Sequence, residues 1–141
     1  MWLKEKVKTL INKHKTSNPF EIAARMNIHI IKWDLHKQIN GYYKYDRRNR
    51  YIVINCNLDN NFQRVVCAHE LGHAILHTRV NTPFMTMNTF FSVNKIEREA
   101  NTFAAELLIP DDNFENLSIY EIASIYQVPV ELVKLKCEKL F

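Results

Sequence analysis

Residues 60–78 read NNFQRVVCAHELGHAILHT, and this stretch decides how the chain must fold. Phe62, Val65, Val66, Cys67, Ala68, Leu71, Ala74, Ile75 and Leu76 cover nearly the whole circumference of a helix, capped near Asp59 or Asn60. A helix that is apolar all round belongs in the centre of a domain. Yet it carries His69-Glu70-Leu71-Gly72-His73, three polar side chains whose burial is costly unless something satisfies them. His69 and His73 stand at i and i+4, one turn apart on one face, so both imidazoles can reach a single ion at about 2.0–2.1 Å. Glu70 is rotated roughly 100° from His69. It cannot readily be a ligand beside both histidines, but it can serve as general base toward a water at the metal. Gly72 is one of only two glycines in the chain and costs about 1 kcal/mol inside a helix. Close approach of a neighbouring element would account for it.

A catalytic zinc wants three protein ligands and one open position. His77 continues the stripe, but it lies about 12 Å along the axis from His69 and cannot share a tetrahedral ion with both histidines. It is read as a helix-end histidine that orients its neighbours. The third ligand is therefore sought on a second amphipathic helix, about 95–109, whose buried stripe is Ile96, Ala100, Phe103, Ala104 and Leu107. Glu97 lies about 65–70° from the centre of that stripe and Glu99 about 90° away on the opposite flank. Glu97 also has Asn101 one turn on, able to orient a ligand imidazole. Glu97 is preferred and Glu99 is the alternative. Histidine and carboxylate ligands suit zinc and also admit manganese or iron.

Around this pair the chain reads as mixed α+β. Residues 2–15 place Leu3, Val7, Leu10, Ile11 and His14 at helical spacing, and Asn18-Pro19 restarts a short helix over 19–27 that buries Phe20, Ala23 and Ala24. Residues 28–33, Tyr42–Tyr45 and Tyr51–Ile54 read as three strands. The dipeptide Asn40-Gly41 and the polar stretch Asp46–Arg50 read as turns, and a small antiparallel sheet is expected to pack on the HExxH helix. Tyr42 and Tyr43 are candidate oxyanion donors. The Met- and Phe-rich stretch 83–93 is a candidate contact for an apolar substrate segment. Residues 117–138 read as two short helices split at Val128-Pro129, with helix-turn-helix rhythm.

With 141 residues, 47% apolar and net charge +4, the chain has the size and composition of one globular domain, 1–141. Its basic residues are scattered, and in the tail Glu121, Glu131 and Glu138 offset Lys134, Lys136 and Lys139. Direct nucleic-acid binding is therefore not expected. Cys56, Cys67 and Cys137 show no paired spacing. No apolar run approaches the roughly 18–20 residues of a membrane span. A cytoplasmic location without membrane attachment is expected.

His69-Glu70-Leu71-Gly72-His73 followed by Glu97-Arg98-Glu99-Ala100-Asn101 and Thr102–Pro110 strongly resembles the ImmA/IrrE family of metallo-endopeptidases. Asn18–Ala23, Asn40-Gly41-Tyr42-Tyr43 and His77 fit as well, so the resemblance spans nearly the whole chain. It implies a compact gluzincin-like core that holds Zn2+, and its ExxxN pattern maps the acidic ligand onto Glu97. The activity it implies is cleavage of a specific helix-turn-helix repressor of a phage or integrative element, relieving repression. Two other functions fit the same residues: a metal-containing anti-repressor that sequesters the repressor without cutting it, and a DNA-binding or interaction module.

Overall fold

A computed structural model describes residues 2–80 and 94–138. Its elements run α1 (Trp2–His14), α2 (Pro19–Arg25), β1 (His29–Trp33), β2 (Gly41–Asp46), β3 (Asn49–Asn55), α3 (Asn60–Leu76), α4 (Lys95–Leu108), α5 (Ile119–Tyr126) and α6 (Val130–Glu138). Helix starts follow local chemistry. Asn18, Asp59, Asn94 and Ser118 each cap a helix with a side-chain oxygen that accepts a backbone N–H, and Ser118 with Glu121 completes a capping box. The stretch 83–93 proposed for substrate contact lies outside the described residues. No helix among the described residues is long and apolar enough to cross a membrane.

The sheet is mixed, which corrects the antiparallel expectation. Its order is β1-β3-β2, with β2 antiparallel and β1 parallel to β3. Alternation along a strand shows which face is buried and carries no information on strand direction. The direction is set by the link 34–40, which crosses the end of β3. Trp33 pairs with Asn55 and Gly41 with Ile54, so the link starts and finishes at one end of the sheet. Buried Asn55 holds it there, its side-chain amide donating to the carbonyls of Leu35, His36 and Ile39.

Asn40-Gly41 is not a turn. Gly41 sits in β2 without positive φ, and a Cβ there would lie 2.5 Å from the Val53 carbonyl oxygen and 2.9 Å from Val66 Cγ1. The glycine is needed because β2 lies so close to both β3 and α3. The hairpin reversal falls instead on Arg47-Arg48, both with positive φ (51° and 67°) between the paired Asp46 and Asn49. That is a type I′ geometry usually filled by Asn-Gly. Placing Asn-Gly at 47–48 is expected to raise stability by about 1–2 kcal/mol, measurable by urea denaturation.

The core lies between the sheet, α3 and the surrounding helices. It gathers Leu3 and Val7 from α1, Ile22 and Ala23 from α2, Ile52 and Ile54 from β3, Leu71 from α3, Phe103 and Leu107 from α4 and Leu132 from α6. Helix α2 buries Ala23 as expected, together with Pro19 and Ile22, whereas Phe20 is half-buried and Ala24 is exposed. An ion-pair cluster ties α6 to α4 and α1. Buried Lys136 Nζ lies 2.7 Å from both Glu106 Oε2 and Asp111 Oδ1, and Lys4 reaches Asp111 at 3.2 Å.

Asp111's carboxyl is held down at about 2, chiefly by the hydrogen bond from Lys136; partial burial opposes this, and the charges of Lys136 and Lys4 add to it. A carboxylate with a depressed pKa stabilises the fold above the ordinary carboxylate range, and that contribution fades as pH falls toward the folded-state value. The thermal-midpoint gap between wild type and Asp111→Asn is accordingly expected to be constant above about pH 5 and to close between about pH 4 and 2.

Candidate metal centre

Helix α3 buries its polar triplet almost completely: His69 and Glu70 are 1% exposed and His73 is 0%. Helix α4 packs across them, and Gly72 makes the close approach possible. A Cβ at Gly72 would stand 3.2 Å from Ala100 Cα and 3.2 Å from two Phe103 side-chain atoms. This proximity brings Glu97 to the histidines. Its Oε2 is 3.1 Å from His69 Nε2 and its Oε1 is 2.8 Å from His73 Nε2.

The imidazoles are also held from behind. His69 Nδ1 lies 2.6 Å from Asn101 Oδ1, and His73 Nδ1 lies 3.1 Å from His77 Nδ1. Because an amide oxygen only accepts, His69 Nδ1 carries the hydrogen that points at Asn101, which leaves Nε2 as the ring position turned toward Glu97. Glu99 does not join the pair; its Oε1 is 2.9 Å from His77 Nε2. Of the two acids weighed as third ligand, Glu97 is the one brought to His69 and His73.

His69, Glu70 and His73 also form a group whose ligand-type atoms all lie within 4.8 Å of one another. Two acids therefore border the histidines, and their contacts differ. Glu97 divides its oxygens between the two Nε2 atoms. Glu70 Oε1 is buried with no hydrogen-bond partner. His73 Nε2 likewise has none, despite its 2.8 Å approach to Glu97, because the two atoms do not point along a hydrogen bond. Buried polar atoms without a hydrogen-bond partner are ones that a bound cation or its water would satisfy. The spacings are slightly under the roughly 3.3 Å that separates two ligands of a tetrahedral ion at 2.0–2.1 Å. The donor set of two imidazoles and a carboxylate fits a metal.

Electrostatics follow from burial. Burial pushes Glu70's carboxyl up to about 8, with His73 opposing and Glu97 adding to the rise. Burial acts upward on Glu97 too, but its close approach to the imidazoles of His69 and His73 prevails and brings it to about 2. The two neighbouring acids thus differ in character, one kept ionised and the other ready to hold a proton.

A peptidase family model described as the IrrE N-terminal-like domain matches residues 23–138. Metallopeptidase ImmA of Bacillus subtilis (strain 168) is 32% identical over 145 residues, covering 98% of this chain and 85% of the relative. The chain belongs to the ImmA/IrrE metallopeptidase family. Uncharacterized immunity region protein 2 of Bacillus phage phi105 is 54% identical over 139 residues, covering 95% of this chain and 88% of that protein. As a metallopeptidase of this family the chain is expected to use a metal ion, and the His69–His73–Glu97 convergence is where its residues fit one.

Within this ImmA/IrrE chain, the tyrosines proposed as oxyanion donors are placed elsewhere. Tyr43 is fully buried and donates its hydroxyl to the Thr78 carbonyl, anchoring the end of α3. Burial pushes its phenol up to about 12, with the charge of Arg50 opposing. Tyr42 points to the opposite sheet face, away from α3. The pairing of His77 with Glu99 was not legible in the spacing, although both residues had drawn attention singly.

Gly72→Ala tests the helix approach that assembles the site. Overpacking typically costs about 1–3 kcal/mol, and the gain in helix propensity returns about 1 kcal/mol. A net loss of about 1–2 kcal/mol is expected in chemical denaturation. Metal affinity should weaken as well, since Glu97 and Asn101 ride on the displaced helix.

Proposed function

We propose that this chain is a zinc-dependent endopeptidase whose metal is held by His69, His73 and Glu97, with Glu70 as the proton carrier. Its substrate is a helix-turn-helix transcriptional repressor of a phage or integrative element. The observation that carries the catalytic reading is the division of Glu97's oxygens between two imidazole Nε2 atoms, beside a buried Glu70 Oε1 with no hydrogen-bond partner. A bound Zn2+ supplies Lewis acidity toward a peptide carbonyl and toward water. Glu70 takes a proton from the attacking water at its unpartnered Oε1 as the carbon–oxygen bond forms. It delivers that proton to the amide nitrogen as the carbon–nitrogen bond breaks. Asn101 and His77 keep the imidazole Nδ1 atoms occupied, so that each Nε2 faces inward.

The substrate class rests on the relatives: one is named for a phage immunity region and another is named a metallopeptidase. A DNA-binding role for the tail has less support. Lys136 is buried against Glu106 and Asp111, which removes a cation from any phosphate-facing surface of α6.

The test is incubation of the purified protein with the repressor encoded beside its gene, read by intact-mass spectrometry. Zinc-loaded protein is expected to produce one complementary pair of fragments whose masses sum to the repressor plus one water. Chelation should abolish them, and added Zn2+ should restore them. A repressor that stays intact with zinc-loaded protein, while still losing its operator binding, would replace hydrolysis with sequestration.

A further inference from the structure

Three contacts in series run from the surface to the candidate metal centre. Glu99 Oε1 lies 2.9 Å from His77 Nε2, His77 Nδ1 lies 3.1 Å from His73 Nδ1, and His73 Nε2 faces Glu97. We infer that Glu99 and His77 are positioning residues that together fix the tautomer and ring orientation of His73, and so set how tightly the site holds its metal. This inference rests on the reading of His73 as a ligand.

The proton assignment follows from what each group can do. An ionised carboxylate only accepts, so His77 Nε2 carries the hydrogen that points at Glu99. A neutral His77 then has a bare Nδ1, which can only accept, and His73 Nδ1 must therefore be the donor. His73 is left with a lone pair on Nε2, directed into the site. Reversing any link breaks the next one: a proton on His77 Nδ1 would meet the proton on His73 Nδ1, or would force His73 to protonate the nitrogen that a metal needs.

The backbone explains how two histidines one turn apart can meet through like atoms. His77 is the C-cap of α3, with φ −131° and ψ 48°, outside helical geometry, while its N–H still donates to the His73 carbonyl. The chain has turned enough for the His77 ring to lie 5.2 Å from that of His73, inclined at 51°. Glu99 reaches His77 because it sits on the flank of α4 opposite Glu97, about 200° around the helix. One helix thus sends one acid to the two inward nitrogens and a second acid to the outer histidine. The arrangement is asymmetric: His69 is held by an amide, Asn101, in a single step, whereas His73 is held through a second imidazole. An amide oxygen accepts in any protonation state, but His77 is a reliable acceptor only while Glu99 keeps its hydrogen on Nε2.

The experiment compares wild type with His77→Phe, Glu99→Ala and Glu99→Gln by two readings. Zinc affinity is measured by competition with a chromogenic chelator. The histidine ring Nδ1–H signals of the zinc-loaded protein, and their exchange with solvent, are read from 15N–1H NMR correlations. His77→Phe keeps ring volume but removes the acceptor, and it is expected to weaken zinc binding about 10–100-fold. The His73 Nδ1–H, protected in wild type by its hydrogen bond to His77, should exchange faster with solvent. Glu99→Ala should move both readings in the same direction by a smaller amount. Glu99→Gln retains an accepting oxygen and should stay within about threefold of wild type. Unchanged affinity and unchanged His73 Nδ1–H exchange in His77→Phe would overturn the inference while leaving the peptidase reading intact. Should His77→Phe fail to fold, Glu99→Ala decides by the same two readings, and no movement in either overturns it. A wild-type protein that binds no zinc would defeat the peptidase reading and this inference with it.

Discussion

Glu70→Gln is expected to reduce peptide cleavage by about 10²–10⁴-fold, the span of rate that a positioned general acid–base group contributes. The loss should appear in the rate of the chemical step under single-turnover conditions, with zinc stoichiometry unchanged, because Glu97 rather than Glu70 meets the two imidazoles. Folding should not suffer. Glu70 is fully buried and its carboxyl is pushed up to about 8, so a neutral amide of the same shape removes a group that resists ionisation there. A thermal midpoint equal to or above wild type, combined with lost cleavage, separates the loss of a proton carrier from the loss of a fold. A variant that retains full cleavage would remove Glu70 from the chemistry.

Glu97→Ala is expected to have the largest effect on metal binding. It leaves the two imidazoles without the carboxylate that bridges them, and affinity should fall by more than about 100-fold, beyond what loss of an orienting partner costs. Glu99→Ala provides the internal control. The two acids are two residues apart on one helix and carry the same charge, but only Glu97 contacts His69 and His73, whereas Glu99 contacts His77. A general electrostatic attraction for cations would be weakened equally by either substitution. A coordination site would respond chiefly to Glu97. Equal losses in the two variants would therefore argue against the assigned ligand set.

The elements of this site were legible in the sequence where chemistry and periodicity coincide. Histidines at i and i+4 in an apolar helix must share a face, and the flank of α4 that carries Glu97 could be worked out from the stripe of Ala100, Phe103, Ala104 and Leu107. Features that depend on how elements lie against one another were not legible. The Gly41 position looked like a turn because Asn-Gly usually is one, whereas its cause is contact with Val53 and Val66. The direction of β1 depends on Asn55 gripping the link 34–40, which alternation cannot reveal. Lys136 counted among the offset charges of the tail, yet it meets Glu106, 30 residues earlier, in the interior at 2.7 Å. The Glu99–His77 contact depends on the chain leaving helical geometry at its C-cap, a conformation that the i, i+4 rule does not anticipate.

The most direct test of the central proposition is anomalous diffraction at the zinc edge from crystals of the zinc-loaded protein. The expected result is one strong peak within about 2.0–2.2 Å of His69 Nε2, His73 Nε2 and a Glu97 carboxylate oxygen, with Glu70 outside that distance. A peak ligated by Glu70 or Glu99 in place of Glu97, or no peak beside the two histidines, would contradict it.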